Sequence, residues 1–181
     1  DSCDAIPAIY LDTDSPVIKE QAPELSEKIR LIDRPDELCG DDVSMNDVLF
    51  YDVSTITSDY FLQTHVTNPF LTRDTIERAI GEFFDSREHD SLFSVTKLQS
   101  RLWNVEGVPL NHDPGLLLQT QDLPPVYEEN SNIYIFSREL MLQTKNRLGQ
   151  NPLMFPVCRE EAFDIDEEID FLTAEVLHST K

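Results

Sequence analysis

Between Ala8 and Val95 short apolar runs alternate with stretches of helical spacing, and this alternation restricts the fold more than any other feature of the chain. Ala8 to Leu11, Ile29 to Ile32, Tyr60 to Gln63 and Ser91 to Val95 read as strands bounded by turn residues. Between them, Pro16 to Leu25 forms a helix with proline in its first turn. Ser44 caps a second, whose Met45, Val48, Leu49, Asp52 and Val53 lie mostly on one apolar face. Thr72 to Phe84 is a third, since Ile76, Ala79, Ile80, Phe83 and Phe84 repeat at i, i+3, i+4, i+7 and i+8. Strand, helix, strand in this order predicts an α/β fold, a parallel sheet with helices on its faces. At 181 residues the chain is expected to be a single domain, 1–181, with a core of its own.

From Leu98 to Glu129 the pattern breaks. Gly107-Val108-Pro109, Asp113-Pro114-Gly115 and Leu123-Pro124-Pro125 divide it into short extended pieces. It is too poor in apolar periodicity to bury a core and reads as an excursion, 98–129, within the domain. The chain then returns with a strand from Asn132 to Phe136, a short helix capped by Ser137, and a strand from Leu153 to Val157. A last helix follows, in which Ile169, Leu172, Thr173, Val176 and Leu177 fall at helical spacing.

The approach to that helix is Phe163-Asp164-Ile165-Asp166-Glu167-Glu168-Ile169-Asp170. In an extended backbone Asp164 and Asp166 leave the same face and can share one hard cation. The alternative is that Asp166 is the N-cap, with Glu167 and Glu168 complementing the positive end of the helix and nothing bound. A calcium loop is excluded, because Ile169 stands where the sharp turn requires glycine.

Charge narrows the partners. Thirty-five acids against 14 bases leave a net charge of −21, which opposes nonspecific binding to nucleic acid or an anionic membrane. A polyanionic ligand must be held by a local exception such as a metal ion, a helix N-terminus or a few placed arginines. Cys3, Cys39 and Cys158 are too scattered for a disulfide framework or zinc site, and no signal peptide or membrane span is evident, so a reducing cytoplasm is expected. His65, His89, His112 and His178 show no metal-ligand spacing, and Trp103 reads as a packing anchor. Glycine-rich P-loop and dinucleotide patterns and the Gly-x-Ser-x-Gly elbow are absent. In parallel α/β sheets ligands bind beyond the carboxyl ends of strands, which singles out Asp12 and Asp14, Arg34, His65 to Asn68, Asn130, and Asp164 with Asp166.

Several of these stretches together resemble the acylneuraminate cytidylyltransferases, which make CMP-linked acidic sugars. Gln121-Asp122-Leu123-Pro124-Pro125-Val126-Tyr127-Glu128-Glu129-Asn130, running on to Ile133-Tyr134-Ile135-Phe136, is similar to the family's acyl-sugar stretch and its asparagine-containing strand. Asp164-Ile165-Asp166, then Asp170 and Ala174-Glu175, resemble its acidic ending. Upstream, Asp12-Thr13-Asp14, Arg34-Pro35 with Leu38 and Asp41, and Val66-Thr67-Asn68-Pro69 resemble three further family motifs in the same order.

The resemblance implies a three-layer nucleotidyltransferase fold of the glycosyltransferase-A kind with a mostly parallel central sheet. It implies a cytidylyltransferase that moves CMP from CTP to an acidic sugar of the sialic type with Mg²⁺, releasing pyrophosphate. It also implies a homodimer built through 98–129. On this resemblance Asp164 and Asp166 are the catalytic, metal-holding pair, Arg34, Asp41 and Ser44 contact the nucleotide, and His65, Thr67, Gln121, Asn130 and Tyr134 contact the sugar. Two family features differ here. The glycine- and lysine-rich loop that precedes the region matching Ala8 to Asp14 is not in these residues, so the domain is expected to be N-terminally incomplete. Thr120 also replaces an arginine that pairs with the sugar carboxylate, a contact threonine cannot make. The alternative function is an impaired fragment or a non-catalytic binding and dimerisation module of the same fold.

Overall fold

A computed structural model describes residues 3–40 and 42–180. Its elements are β1 (Ile9–Asp12), α1 (Pro16–Leu25), β2 (Ile29–Ile32), α2 (Met45–Thr55), β3 (Tyr60–Gln63), α3 (Arg73–Asp85), β4 (Ser91–Leu98), β5 (Val126–Ser137), α4 (Arg138–Thr144), β6 (Pro152–Pro156) and α5 (Glu168–Ser179). The caps follow local chemistry. Ser15, Ser44 and Ser137 each accept an N–H of the first turn of α1, α2 and α4, and Pro16 opens α1 where its missing N–H costs nothing.

The architecture is α/β, as expected, with a mixed sheet. β1 and β2 pair in parallel as a two-stranded sheet, while β3, β5, β4 and β6 form a second sheet in that order. β3 runs antiparallel to β5, with Phe61 opposite Phe136 and Gln63 opposite Tyr134. The expected α/β fold with a mostly parallel central sheet is found, with β3 and β5 as an antiparallel pair within it. β5 continues directly from the excursion and needs no crossover helix to reach β3, so an antiparallel partner is available to it.

The chain divides into two compact units, each assembled from three segments. One comprises Asp1–Gln63, Arg73–Leu92 and Tyr134–Leu153, and the other Thr64–Thr72, Phe93–Ile133 and Met154–Lys181. The first buries Val53 of α2, Ala79 and Phe83 of α3, Tyr134 to Phe136 of β5 and Met141 of α4. There the Tyr60 ring meets Phe84 edge-on at 4.9 Å, and Phe61 stacks on Phe136 at 6.1 Å. The second unit buries Val95, Leu123, Ile133, Phe155 and Val157. Among the described residues all three cysteines are free, and no helix is long and apolar enough to cross a membrane.

Candidate active site

Within the second unit the neighbouring strands β4 and β5 carry polar side chains into the sheet. Asn130 Oδ1 accepts the Ser94 hydroxyl at 2.6 Å and the Asn132 N–H at 3.2 Å, while Asn130 Nδ2 donates to Thr96 Oγ1 at 2.9 Å. Ser94 Oγ in turn accepts the N–H of Ile133 at 2.8 Å. Ser131, between the two asparagines, takes a left-handed φ of 57°. A non-glycine residue held there costs on the order of 1–3 kcal/mol, and the asparagine bonds on either side keep it there.

The loop after β6 is braced as firmly. Val157 N–H donates to Val95 O at 2.9 Å, and Ala162 N–H to Cys158 O at 3.0 Å closes a turn around Arg159. Asn132 Nδ2 donates to Glu161 O at 2.6 Å, and the Glu161 carboxylate accepts the N–H and hydroxyl of Thr72 at 3.1 and 3.2 Å. Asn68 Nδ2 donates to Phe163 O at 3.3 Å, Ile165 N–H donates to Thr67 O at 2.9 Å, and the Phe70 and Phe163 rings meet at 5.8 Å. These contacts leave a groove of about 430 Å³ lined by Thr96, Glu128, Glu129, Asn130, Ser131, Arg159 and Asp164, among others. It lies past the carboxyl ends of β4 and β6, where α/β sheets bind ligands.

Of the acidic pair, Asp164 lines this groove, half-buried, and its Oδ1 accepts the N–H of Ile165 at 3.1 Å. Asp166 is exposed. The expectation that Asp166 caps the last helix is corrected: the N-cap of α5 is Glu167, in a reciprocal capping box with Asp170. Asp170 Oδ2 accepts the N–H groups of Glu167 at 2.9 Å and Asp166 at 3.2 Å. The side chain of Asp166 is thus left out of the cap. Among the described residues no cluster of three or more His, Cys, Asp or Glu forms an all-protein metal cage. Two carboxylates fit the donor set of Mg²⁺, which keeps several waters and completes its shell with phosphate oxygens.

Other expected site residues distribute unevenly. In this unit Thr67 meets the acidic loop through its carbonyl, His65 is half-buried, and Gln121 is exposed in a turn with its Nε2 donating to Gln119 Oε1 at 2.8 Å. Tyr134, Arg34 and Ser44 belong to the first unit. Tyr134 is wholly buried, with the Arg147 guanidinium 3.5 Å above its ring. Residues 132 to 136 of β5 are buried in succession, so this part of the strand is covered on both faces. Ser44 Oγ caps α2, accepting Asp47 N–H at 3.2 Å and donating to Asp47 Oδ2 at 2.7 Å. Asp41 lies outside the described residues.

The first unit also holds an acid pair that the sequence reading overlooked. Arg34 Nε donates to Asp12 Oδ1 at 2.9 Å in a mostly buried ion pair. Asp12 Oδ2 and Asp52 Oδ1 are buried with no other donor in reach. Burial first, then the charge of Asp12 and a hydrogen bond with it, push the Asp52 carboxyl up to about 7, against the lowering pull of Arg34. The Asp52 carboxyl is therefore only partly ionised near neutral pH. Asp52 sits on an otherwise apolar helix face, and its partner is forty residues away, so no local pattern announces it. Arg159 was also overlooked, although the rule about strand ends that selected Arg34 applies to it equally.

A mixed α/β sheet with a polar groove past its strand ends is the arrangement in which α/β folds bind ligands. Solved structures agree at the level of fold. A 4-diphosphocytidyl-2C-methyl-D-erythritol synthase from Anaerococcus prevotii superposes with a TM-score of 0.70 at 12% identity, covering 98% of this chain and 81% of that one. A CMP:2-keto-3-deoxy-manno-octonic acid synthetase complexed with CTP gives 0.66 at 13% identity, over 99% and 83%. The sequence matches the cytidylyltransferase family over residues 1–177, and the chain belongs to that family. It is 26% identical over 177 residues to an N-acylneuraminate cytidylyltransferase of Streptococcus agalactiae, covering 91% of this chain and 41% of the relative. To a CMP-N,N'-diacetyllegionaminic acid synthase of Campylobacter jejuni it is 39% identical over 67 residues, 37% of this chain and 28% of the relative. A post-translational flagellin modification protein B of Campylobacter coli is 26% identical over 127 residues, 68% of this chain and 54% of the relative. The chain thus spans between 28% and 54% of the length of these relatives.

Proposed function

We propose that this chain carries the acceptor and metal side of a cytidylyltransferase site, in which the hydroxyl of an acidic sugar attacks the α-phosphate of CTP and pyrophosphate leaves. The observation that carries the reading is the groove that holds Asn130 and Asp164 together, in a chain of this family. The acid-sugar class is supported by the names of the sialic- and legionaminic-type relatives. Asp164 and Asp166 would hold Mg²⁺, which when bound neutralises charge on the phosphates. Asn130, fixed by Ser94 and Thr96, keeps a second amide hydrogen for a sugar hydroxyl. Thr67, His65 and Gln121 remain proposed sugar contacts, and Arg34 and Ser44 proposed nucleotide contacts. Arg34 has its Nη groups uncommitted for that purpose, since only Nε bonds to Asp12.

The test is calorimetry with CTP and Mg²⁺, followed by pyrophosphate release on adding N-acetylneuraminate. Heat with CTP and release with the acid are expected, and no heat with any of the four nucleoside triphosphates overturns the reading. The non-catalytic alternative has its own observation in the excursion, where Val105 is 97% and Leu117 is 89% exposed. Such apolar exposure supports packing of 98–129 on a second copy, compatible with either reading. Sedimentation at several concentrations checks it, with a dimer expected.

A further inference from the structure

We propose that Arg159 is the specificity-determining residue that binds the carboxylate of the acidic co-substrate, a proposal that rests on the cytidylyl-transfer reading of the groove. Glu128, Glu129 and Asp164 line the same groove, so an anionic sugar entering it meets repulsion unless a cation faces it. Among the described residues lining it, Arg159 is the only basic one. In a chain with 35 acids its charge is nevertheless unspent. Lys19, Arg34, Arg73 and Arg78 are each paired with a carboxylate, whereas Arg159 makes no hydrogen bond or ion pair among the described residues.

The backbone under Arg159 is held at both ends. The turn from Cys158 to Ala162 is closed by its own hydrogen bond, and Glu161 within it is tied to Asn132 and Thr72. An arginine on a braced turn loses little backbone freedom on binding, and its planar fork matches a carboxylate with two parallel N–H bonds. The Asn130 amide on the same groove addresses sugar hydroxyls, so the two residues divide an acidic sugar between its charged and its neutral groups.

The experiment measures binding of N-acetylneuraminate and of its methyl ester to the full chain by calorimetry, with CTP binding measured alongside, for the native protein, Arg159→Ala and Arg159→Lys. The native chain is expected to prefer the free acid over the ester by on the order of tenfold, the strength of a charged hydrogen-bonded pair. Arg159→Ala should abolish that preference while leaving CTP affinity unchanged, and Arg159→Lys should restore it in part. If Arg159→Ala keeps the full preference for the acid, the proposal falls while the cytidylyl-transfer reading stands. Loss of CTP affinity alone in Arg159→Ala would assign the arginine to the triphosphate and also overturn it. Binding of CTP but of neither sugar by the native chain would overturn both the proposal and the acid-sugar class. Equal melting of the three proteins shows that the loss is not one of folding.

Discussion

Replacing Asp52 with asparagine isolates the buried proton of the first unit. Burial and the neighbouring Asp12 raise the Asp52 carboxyl from 3.8 to about 7. At about 1.4 kcal/mol per pH unit, an elevation of roughly three units disfavours the ionised form by about 4 kcal/mol. The folded state holds this proton more tightly than the unfolded state, so between about pH 4 and pH 7 it binds more protons. The free energy of unfolding must then fall as pH rises through that window. Below it the contribution is fully present, and above it the ionised Asp52 stands beside Asp12 and the contribution is lost. Asparagine is neutral throughout and can donate an N–H to Asp12 Oδ2, which lacks another donor. Loss of the contribution over the whole window would amount to about 4 kcal/mol, the ceiling of the effect. Urea unfolding followed by circular dichroism at about pH 5 and about pH 8 measures it. The excess of acids elsewhere makes both proteins pH-dependent, but that part cancels in the difference between them. The variant should gain on the native chain by up to roughly 3 kcal/mol on going from the lower to the higher pH, because about two pH units of the window lie between them. A difference that does not change with pH, or one that moves the other way, refutes the raised Asp52 carboxyl.

Three further outcomes are expected. Asp164→Asn and Asp166→Asn should each weaken Mg²⁺-dependent CTP binding at least tenfold, roughly the loss of one charged contact, with stability within about 0.5 kcal/mol of native, as calorimetry and melting will show. Gly149→Ala should lower unfolding stability by about 1–3 kcal/mol, because a Cβ there runs into the Asp90 carboxylate. That carboxylate is held by the N–H groups of Gln150 at 2.7 Å and Asn151 at 3.1 Å and by the Ser91 hydroxyl at 3.0 Å, so it cannot swing aside freely. Ser44→Ala should cost about 1 kcal/mol through the lost cap of α2, and a simultaneous drop in CTP affinity would separate a nucleotide contact from a capping role.

Local chemistry foretold much of the fold. Pro16, Ser44 and Ser137 announce α1, α2 and α4 because proline and serine satisfy the first turn of a helix without help from the rest of the chain. β5 was read as Asn132 to Phe136 yet runs from Val126 to Ser137. Its first half, Tyr127-Glu128-Glu129-Asn130, is polar and mostly exposed, so apolar alternation says nothing about it and its pairing within the sheet decides. The cap of α5 was misplaced by one residue because several successive acids can each serve, and the choice falls to Asp170 reaching back. In the groove, Asn130 and Asp164 were legible from a family pattern and Arg159 from its place just past β6, while the Asp12–Asp52 pair depends on residues distant in the chain that only folding brings together.

The capping box of Glu167 and Asp170 has an evolutionary consequence. Since the start of α5 is secured by those two acids, nothing in the helix penalises drift at Asp166. On the proposal that Asp166 helps hold Mg²⁺, selection would keep that residue through what it binds. A descendant that no longer needed the ligand would lose the carboxylate in a single step and remain folded, so soluble, inactive copies of this fold are readily reached, and the retention of Asp166 in a sequence is informative about use rather than architecture.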